Sequence, residues 1–329
     1  MPKRVKYIDT AKGIAIISVV LSHSYSTNHF ITQLINSFHM PFFFIISGIL
    51  YGLKHGNYPN MEFRISKKIS ALIVPYFIWG TLYQLFIHAF QIVGGKSIKE
   101  SIFEIVHSLF TLSSGAMWFL PSLFISVTLF LLTSKNKYAN IAISIAVMLI
   151  GLFAPSCNVL VTAILRAFVG TGFIAIGYYC YNLFIKSQNG IFVFLICLVD
   201  IFIIKRNGST AMVNRTFGNP ILYTWSGILG SYILLQICIH LKKENRAICY
   251  LQSCGAKSSI ILCLHMFIIE IVRFADYKLF GNILPVFSIF EGFVLTLLTM
   301  VILTPFLSIS NGVFRLSFGI STKTQQNKS

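Results

Sequence analysis

Ten stretches of the chain run apolar for most of their length, with polar residues at their ends. They fall at about 10–28, 37–53, 69–93, 117–134, 138–155, 159–184, 190–204, 221–240, 259–275 and 287–307. About 20 apolar residues suffice to cross a bilayer as a helix. The runs are continuous, as in IAISIAVMLIGLF, and lack the every-second-residue alternation of a membrane barrel strand. In lipid a spanning segment that is not a barrel strand must satisfy its backbone within itself, which a helix does. The pattern therefore predicts an all-α polytopic membrane protein of about ten transmembrane helices.

Composition agrees. Hydrophobic residues make up 56% of the chain and charged residues 11%, against about 25% charged in a soluble domain. No Asp, Glu, Lys or Arg occurs between Lys12 and Lys54. The seven cysteines show no paired or metal-binding spacing and read as small apolar core residues; no metal site is expected.

The net charge of +17 would suggest a nucleic-acid partner on a soluble protein. Here its placement matters more. Lys3, Arg4, Lys6, Lys54, Arg64, Lys67, Lys68, Lys135, Lys137, Lys186, Lys242, Lys243, Arg246, Lys257 and Arg315 fall on one set of connections. The other set holds fewer: Lys96, Lys99, Lys205, Arg206, Arg215, Arg273 and Lys278. Positive residues collect on the cytoplasmic side, so both termini are expected there. The division expected is a transmembrane domain over 1–310 and a short basic cytoplasmic tail over 311–329. Anionic lipid is the partner this charge fits, not nucleic acid.

The first span reads DTAKGIAIISVVLSH, with Asp9, Lys12 and His23 on an otherwise apolar helix. A helix turns about 100° and rises about 1.5 Å per residue. Lys12 and His23 are then offset by only about 20° and separated by about 16 Å, and Asp9 by about 40° from His23. One face carries all three, from the cytoplasmic surface to the membrane interior. Intramembrane ionisable residues face a cavity or the bundle interior. Lys12 alone also fits an interfacial anchor, and His23 alone a histidine bonded to a neighbouring helix.

Other polar residues mark other spans. His39, in FHMPFFFIISG, is placed at the outer mouth of the second span as a cap or a substrate contact, with Pro41 in the helix's first turn. Arg64 and Lys67 form a basic cluster with Lys68, suited to lipid headgroups or to a phosphate-bearing cofactor. Trp118 is an interfacial belt residue or a substrate contact. His265 sits mid-span as a structural or substrate-binding group. Glu270 and Arg273 are spaced to pair on one face. Arg166 and Asp200 are further intramembrane charges. SIFEIVHSLF, between the third and fourth spans, is amphipathic and suits a helix lying along the membrane surface.

Six pieces in order, DTAKGIAIISVVLSH, FHMPFFFIISGILY, the basic cluster before LIVPYFIW, MWFLPSLF, FGNP and SSIILCLHMF, resemble the membrane-bound acyltransferase-3 family, in particular its sugar O-acetyltransferase branch. They cover about residues 5–270. The family carries Arg, ten residues, then His on its first helix, where this chain has Lys12 and His23. The family's Arg-x-x-Arg is Arg64-x-x-Lys67 here.

The resemblance implies a bacterial cytoplasmic-membrane enzyme with acetyl-CoA as cytoplasmic acyl donor. The acceptor it implies is a cell-envelope glycan or its lipid-linked precursor. His23 would serve as general base on a sugar hydroxyl or carry the acetyl group itself, roles that suit an ordinary pKa near 6.5. Asp9 would join His23 in the catalytic set by organising the entrance, Lys12, Arg64 and Lys67 would hold CoA phosphate, and His39, Trp118 and His265 would contact the acceptor. A transporter or flippase for a lipid-linked sugar is the competing reading. Transporters more often show repeated halves, and none stands out here.

Overall fold

The computed structural model describes residues 5–24, 30–56, 65–241, 243–281, 289–308 and 316–320. Among these residues the chain is helical, with a lone bridge between Ala211 and Thr216 outside the helices. Seven helices are long and apolar enough to cross a membrane, as a multi-pass membrane protein requires. The remaining expected segments are helices too: α1 (Lys6–Ser24), which starts with charged residues, α7 (Lys137–Phe153) and α10 (Gly190–Asn207).

Between these run α2 (Phe30–His55), α3 (Ile65–Lys68), α4 (Val74–Val93), α5 (Ile98–Phe110), α6 (Phe119–Thr133), α8 (Val159–Tyr179) and the short α9 (Tyr181–Ile185). The chain ends with α11 (Pro220–His240), α12 (Arg246–Ala256), α13 (Ser258–Phe280) and α14 (Ile289–Leu307). A single π-helical turn, Ile69–Ile73, joins α3 to α4.

Asparagine starts five of the helices. Asn136, Asn158, Asn189, Asn219 and Asn245 each accept hydrogen bonds from backbone N–H groups of the first turn. A helix leaves those donors without partners, and a short side-chain oxygen satisfies them. In FGNP, Pro220 adds a residue preset for the first helical position after Asn219.

Lipid is as apolar as leucine, so close packing and polar contacts hold membrane helices together. Glycine makes two such crossings possible. A Cβ on Gly13 would stand 2.0 Å from the Leu251 carbonyl oxygen, and one on Gly255 would stand 1.8 Å from that of Asp9. The backbones of α1 and α12 therefore touch. In the same way Gly48 of α2 meets the Ile174 carbonyl at 2.1 Å, and Gly177 of α8 meets that of Ile45 at 2.1 Å. These crossings fix α1 and α2, the two helices that carry His23 and His39.

Exposed apolar side chains such as Phe192, Leu195 and Phe202 on α10 and Leu297 and Val301 on α14 give the bundle a lipid-facing exterior. On α5, Ser101, Ile105 and Leu109 are buried while Ile102, Phe103, Val106 and Phe110 stay exposed. The amphipathic stretch is thus a helix with one face on the bundle and an apolar face outward. Of the cysteines, Cys238, Cys254 and Cys263 are buried, but Cys157 and Cys249 are exposed.

Several expectations change. α2 begins at Phe30, seven residues before the apolar run, so Pro41 lies inside the helix rather than in its first turn. His39 is consequently not at a helix mouth and not a cap; it is buried within α2. Asp200 faces Ser226 of α11, and Arg166 is tied elsewhere. Within the 311–329 tail, residues 316–320 pack on the bundle: Phe318 is buried and stacks on Trp79 at 4.6 Å, and Trp79 Nε1 donates to the Ser317 carbonyl at 2.9 Å.

Candidate active site

The polar face of α1 forms one wall of a cavity. Lys12, Ile16 and Val19, spaced by a helical turn each, line a space of about 220 Å³ with Phe43 of α2, Leu120 of α6 and Leu262 of α13. A wider cavity of about 650 Å³ adjoins it, and both share Ser47, Leu50, Leu72 and Leu123 as walls. Leu72 reaches both from the π-helical turn, a distortion frequent at functional sites.

The two cavities differ in chemistry. The wide one is basic, lined by Lys54, His55, Lys67 and Lys68 with Tyr51. Lys68 Nζ lies 5.0 Å from the centre of the Tyr51 ring. The narrow one is apolar except for Lys12 and the hydroxyls of Ser47, Ser258 and Ser259.

Three histidines stand at the end of the narrow cavity away from Lys12. His23 follows Val19 by four residues on α1, His39 precedes Phe43 by four on α2, and His265 follows Leu262 by three on α13. Each therefore lies about one helical turn, some 5 Å, beyond a wall residue. The rings of His23 and His265 are 5.3 Å apart between centroids and tilted by 46°. His39 is within electrostatic reach of His23. Among the described residues, no set of three or more His, Cys, Asp or Glu side chains is placed to hold a metal ion.

The backbone of α1 ends at this point. Arg273 Nη2 donates to the carbonyls of His23 at 3.0 Å and Ser24 at 3.2 Å. Helix-end carbonyls lack intrahelical partners and carry the negative end of the helix dipole, so a guanidinium suits them. Glu270 stands 3.7 Å from Arg273, as their spacing predicts. Thr296 Oγ1 of α14 bonds Ser24 Oγ at 3.0 Å. His23 itself is only partly buried, while its backbone is held.

The predicted site residues divide by place. His23, His39 and His265 come together. Lys12 and Lys67 line the two cavities. Asp9 is buried beneath α12 at the opposite end of α1, about 21 Å along the helix from His23, and the structure does not bring the two together. Arg64 lies outside the described residues.

Trp118 is buried, with the Arg166 guanidinium 4.6 Å from its ring centre. Arg166 also donates to Ser122 Oγ at 3.2 Å, to the Val213 carbonyl at 3.0 Å and to the Leu112 carbonyl. An arginine at a membrane helix centre costs about 3 kcal/mol on insertion scales; four partners offset that here and fasten two loops to the bundle. Sequence alone marked Arg166 as a charge without a partner. It did not single out Lys54 or His55, whose positions after a long apolar run were their only signal.

A family model described as an acyltransferase domain matches residues 5–305. The chain belongs to the acyltransferase-3 family. This acyltransferase is thereby a membrane enzyme that moves an acyl group, and the match spans every helix named above, from α1 into α14. No curated protein and no solved structure matches the chain. Within the acyltransferase-3 chain, the narrow apolar cavity adjoins the basic one and lies next to the histidine cluster.

Proposed function

We propose that this acyltransferase is an O-acetyltransferase of the bacterial cytoplasmic membrane. It takes acetyl from acetyl-CoA on the cytoplasmic side and esterifies a hydroxyl of a cell-envelope polysaccharide or its lipid-linked precursor. The observation that carries this reading is the basic cavity adjoining an apolar one that ends a turn below His23.

Coenzyme A has matching parts. Its nucleotide bears phosphates, which cationic side chains bind through charge-assisted hydrogen bonds; Lys54, Lys67 and Lys68 offer these. Its pantetheine arm is slender and uncharged and suits the narrow passage. Lys12 lines the narrow cavity and would take a phosphate or the first amide of the arm. The thioester at the arm's tip would then face the histidines.

His23 is the reactive group in this reading, because it is partly exposed while His265 is fully buried. As a general base it takes the proton of the acceptor hydroxyl during attack on the thioester carbonyl. As a nucleophile it would take the acetyl group first and pass it on. The acceptor approaches from the end of the bundle opposite Lys12, where Trp118, His39 and the α5–α6 connection stand.

Glycan analysis of cells with and without the gene tests the reading. Acetyl esters on the surface glycan should vanish on deletion and return on complementation. Esters unchanged by deletion contradict it.

A further inference from the structure

His265 is fully buried. Its Nδ1 lies 2.9 Å from the Ile261 carbonyl oxygen and 3.0 Å from that of Leu262. Carbonyls only accept, so Nδ1 carries the ring proton and Nε2 of the neutral imidazole is an acceptor. That Nε2 is buried without a hydrogen-bond partner among the described residues. A buried polar atom left bare in this way marks a strained or functional group.

The His23 ring is the imidazole's aromatic neighbour. The centroids are 5.3 Å apart and the rings are tilted by 46°, a separation at which ring nitrogens turned toward each other come within hydrogen-bond reach. Among the described residues no carboxylate is hydrogen-bonded to the His23 ring. The charged or titratable groups around the pair are His39 from α2, Glu270 and Arg273 from α13, and Tyr83 from α4, which feels both of the last two. Arg273 spends its Nη2 on backbone carbonyls. His265 is therefore the acceptor placed to orient His23. A catalytic histidine needs such a partner, because the hydrogen bond made by one ring nitrogen decides the state of the other.

We propose that His265 positions His23 for proton transfer by accepting the His23 N–H through Nε2, which leaves the other His23 nitrogen bare toward the acceptor hydroxyl. The inference rests on the general-base form of the function proposed above. As the hydroxyl oxygen bonds to the acetyl carbonyl carbon, its proton passes to the bare His23 nitrogen. The carbon–sulfur bond then breaks, and that proton returns to the departing thiolate, giving the ester and free CoA. Through the step His265 keeps its Nδ1 proton on the backbone carbonyls and accepts the N–H of the transient His23 imidazolium.

The test is acetyl transfer from radiolabelled acetyl-CoA to glycan in membranes carrying full-length wild type, His265→Gln, His265→Phe or His265→Leu. Glutamine keeps a polar acceptor near the position of Nε2; phenylalanine and leucine fill the space without one. The maximal rate should fall by about 100-fold in the apolar variants, the scale of a lost orienting partner, with the KM for acetyl-CoA within about twofold of wild type. Glutamine should recover at least about tenfold of the loss.

A packing role predicts the reverse order, with the apolar variants at least as active as glutamine, and that result overturns the proposal. If the apolar variants fail to accumulate, His265→Gln is compared with His265→Asn, whose amide is too short to reach the Nε2 position; equal rates overturn the proposal. Wild-type membranes that transfer no acetyl group would instead overturn the proposed function itself.

Discussion

Arg273 of α13 holds the end of α1: its Nη2 lies 3.0 Å from the carbonyl oxygen of His23 and 3.2 Å from that of Ser24. The side chain that fixes His23 is thus 250 residues away along the chain. Replacing it by alanine frees the last turn of α1 and lets His23 drift. A misplacement of about 1 Å costs up to about 100-fold in rate. Arg273→Ala should therefore lower the maximal rate by 10- to 100-fold, on this scale, without changing the KM for acetyl-CoA. Arg273→Lys, which keeps a cation at the helix end, should recover part of it. Steady-state kinetics on membranes check both.

The basic cavity predicts how the donor is held. Lys67 is exposed, and an exposed charge contact is worth only about 0.2–1 kcal/mol. Lys67→Glu alone should weaken acetyl-CoA binding a few-fold. Lys54→Glu with Lys67→Glu should weaken it by about tenfold, or about 1.4 kcal/mol, and the loss should shrink at high salt. Calorimetric titration of purified protein with acetyl-CoA at two ionic strengths measures this.

The contact of α1 with α12 leaves no room for a side chain. Gly13→Leu and Gly255→Val should each abolish heat-stable folded protein, since their Cβ atoms would fall about 2 Å from backbone oxygens. Gly190→Ala, whose Cβ would meet nothing within 4 Å, is the matched control and should behave as wild type. Thermal denaturation in detergent, followed by size exclusion, separates the three.

Arg166 is a structural tie in the same sense. Arg166→Met strips the Val213 and Leu112 carbonyls of their donor, at about 0.5–1.5 kcal/mol for each hydrogen bond lost. Arg166→Lys should not restore the stability, because a single ammonium cannot reproduce the planar fork that reaches Ser122, Val213 and Leu112 together. Melting of the two variants against wild type reads the difference.

Much of this arrangement was legible in the sequence, and the reasons differ by element. The spans showed because charge-free runs of about 20 residues have few other uses. The face bearing Lys12 and His23 followed from helical periodicity, and the cavity beside Ile16 and Val19 lies on that face.

The start of α2 was hidden because Thr32, Gln33 and Asn36 interrupt the apolar run, although Ile31 and Ile35 keep the helical spacing. The same interruption moved His39 to a helix mouth it does not occupy. The contacts of Arg166, the cap supplied by Arg273 and the docking of residues 316–320 on Trp79 join positions far apart in the chain, which no local pattern encodes. Asp9 shares the face of His23 but not its neighbourhood, since a helical stripe extends along its axis as well as around it.

The central claim is that acetyl passes from acetyl-CoA to a glycan hydroxyl at His23. The most direct measurement supplies radiolabelled acetyl-CoA to membranes carrying wild type or His23→Ala and follows label into glycan, with acetyl-CoA binding measured on both purified proteins. The account predicts labelled glycan with wild type, none with His23→Ala, and equal binding by the two. Label incorporated at the wild-type rate by a folded His23→Ala protein would contradict it.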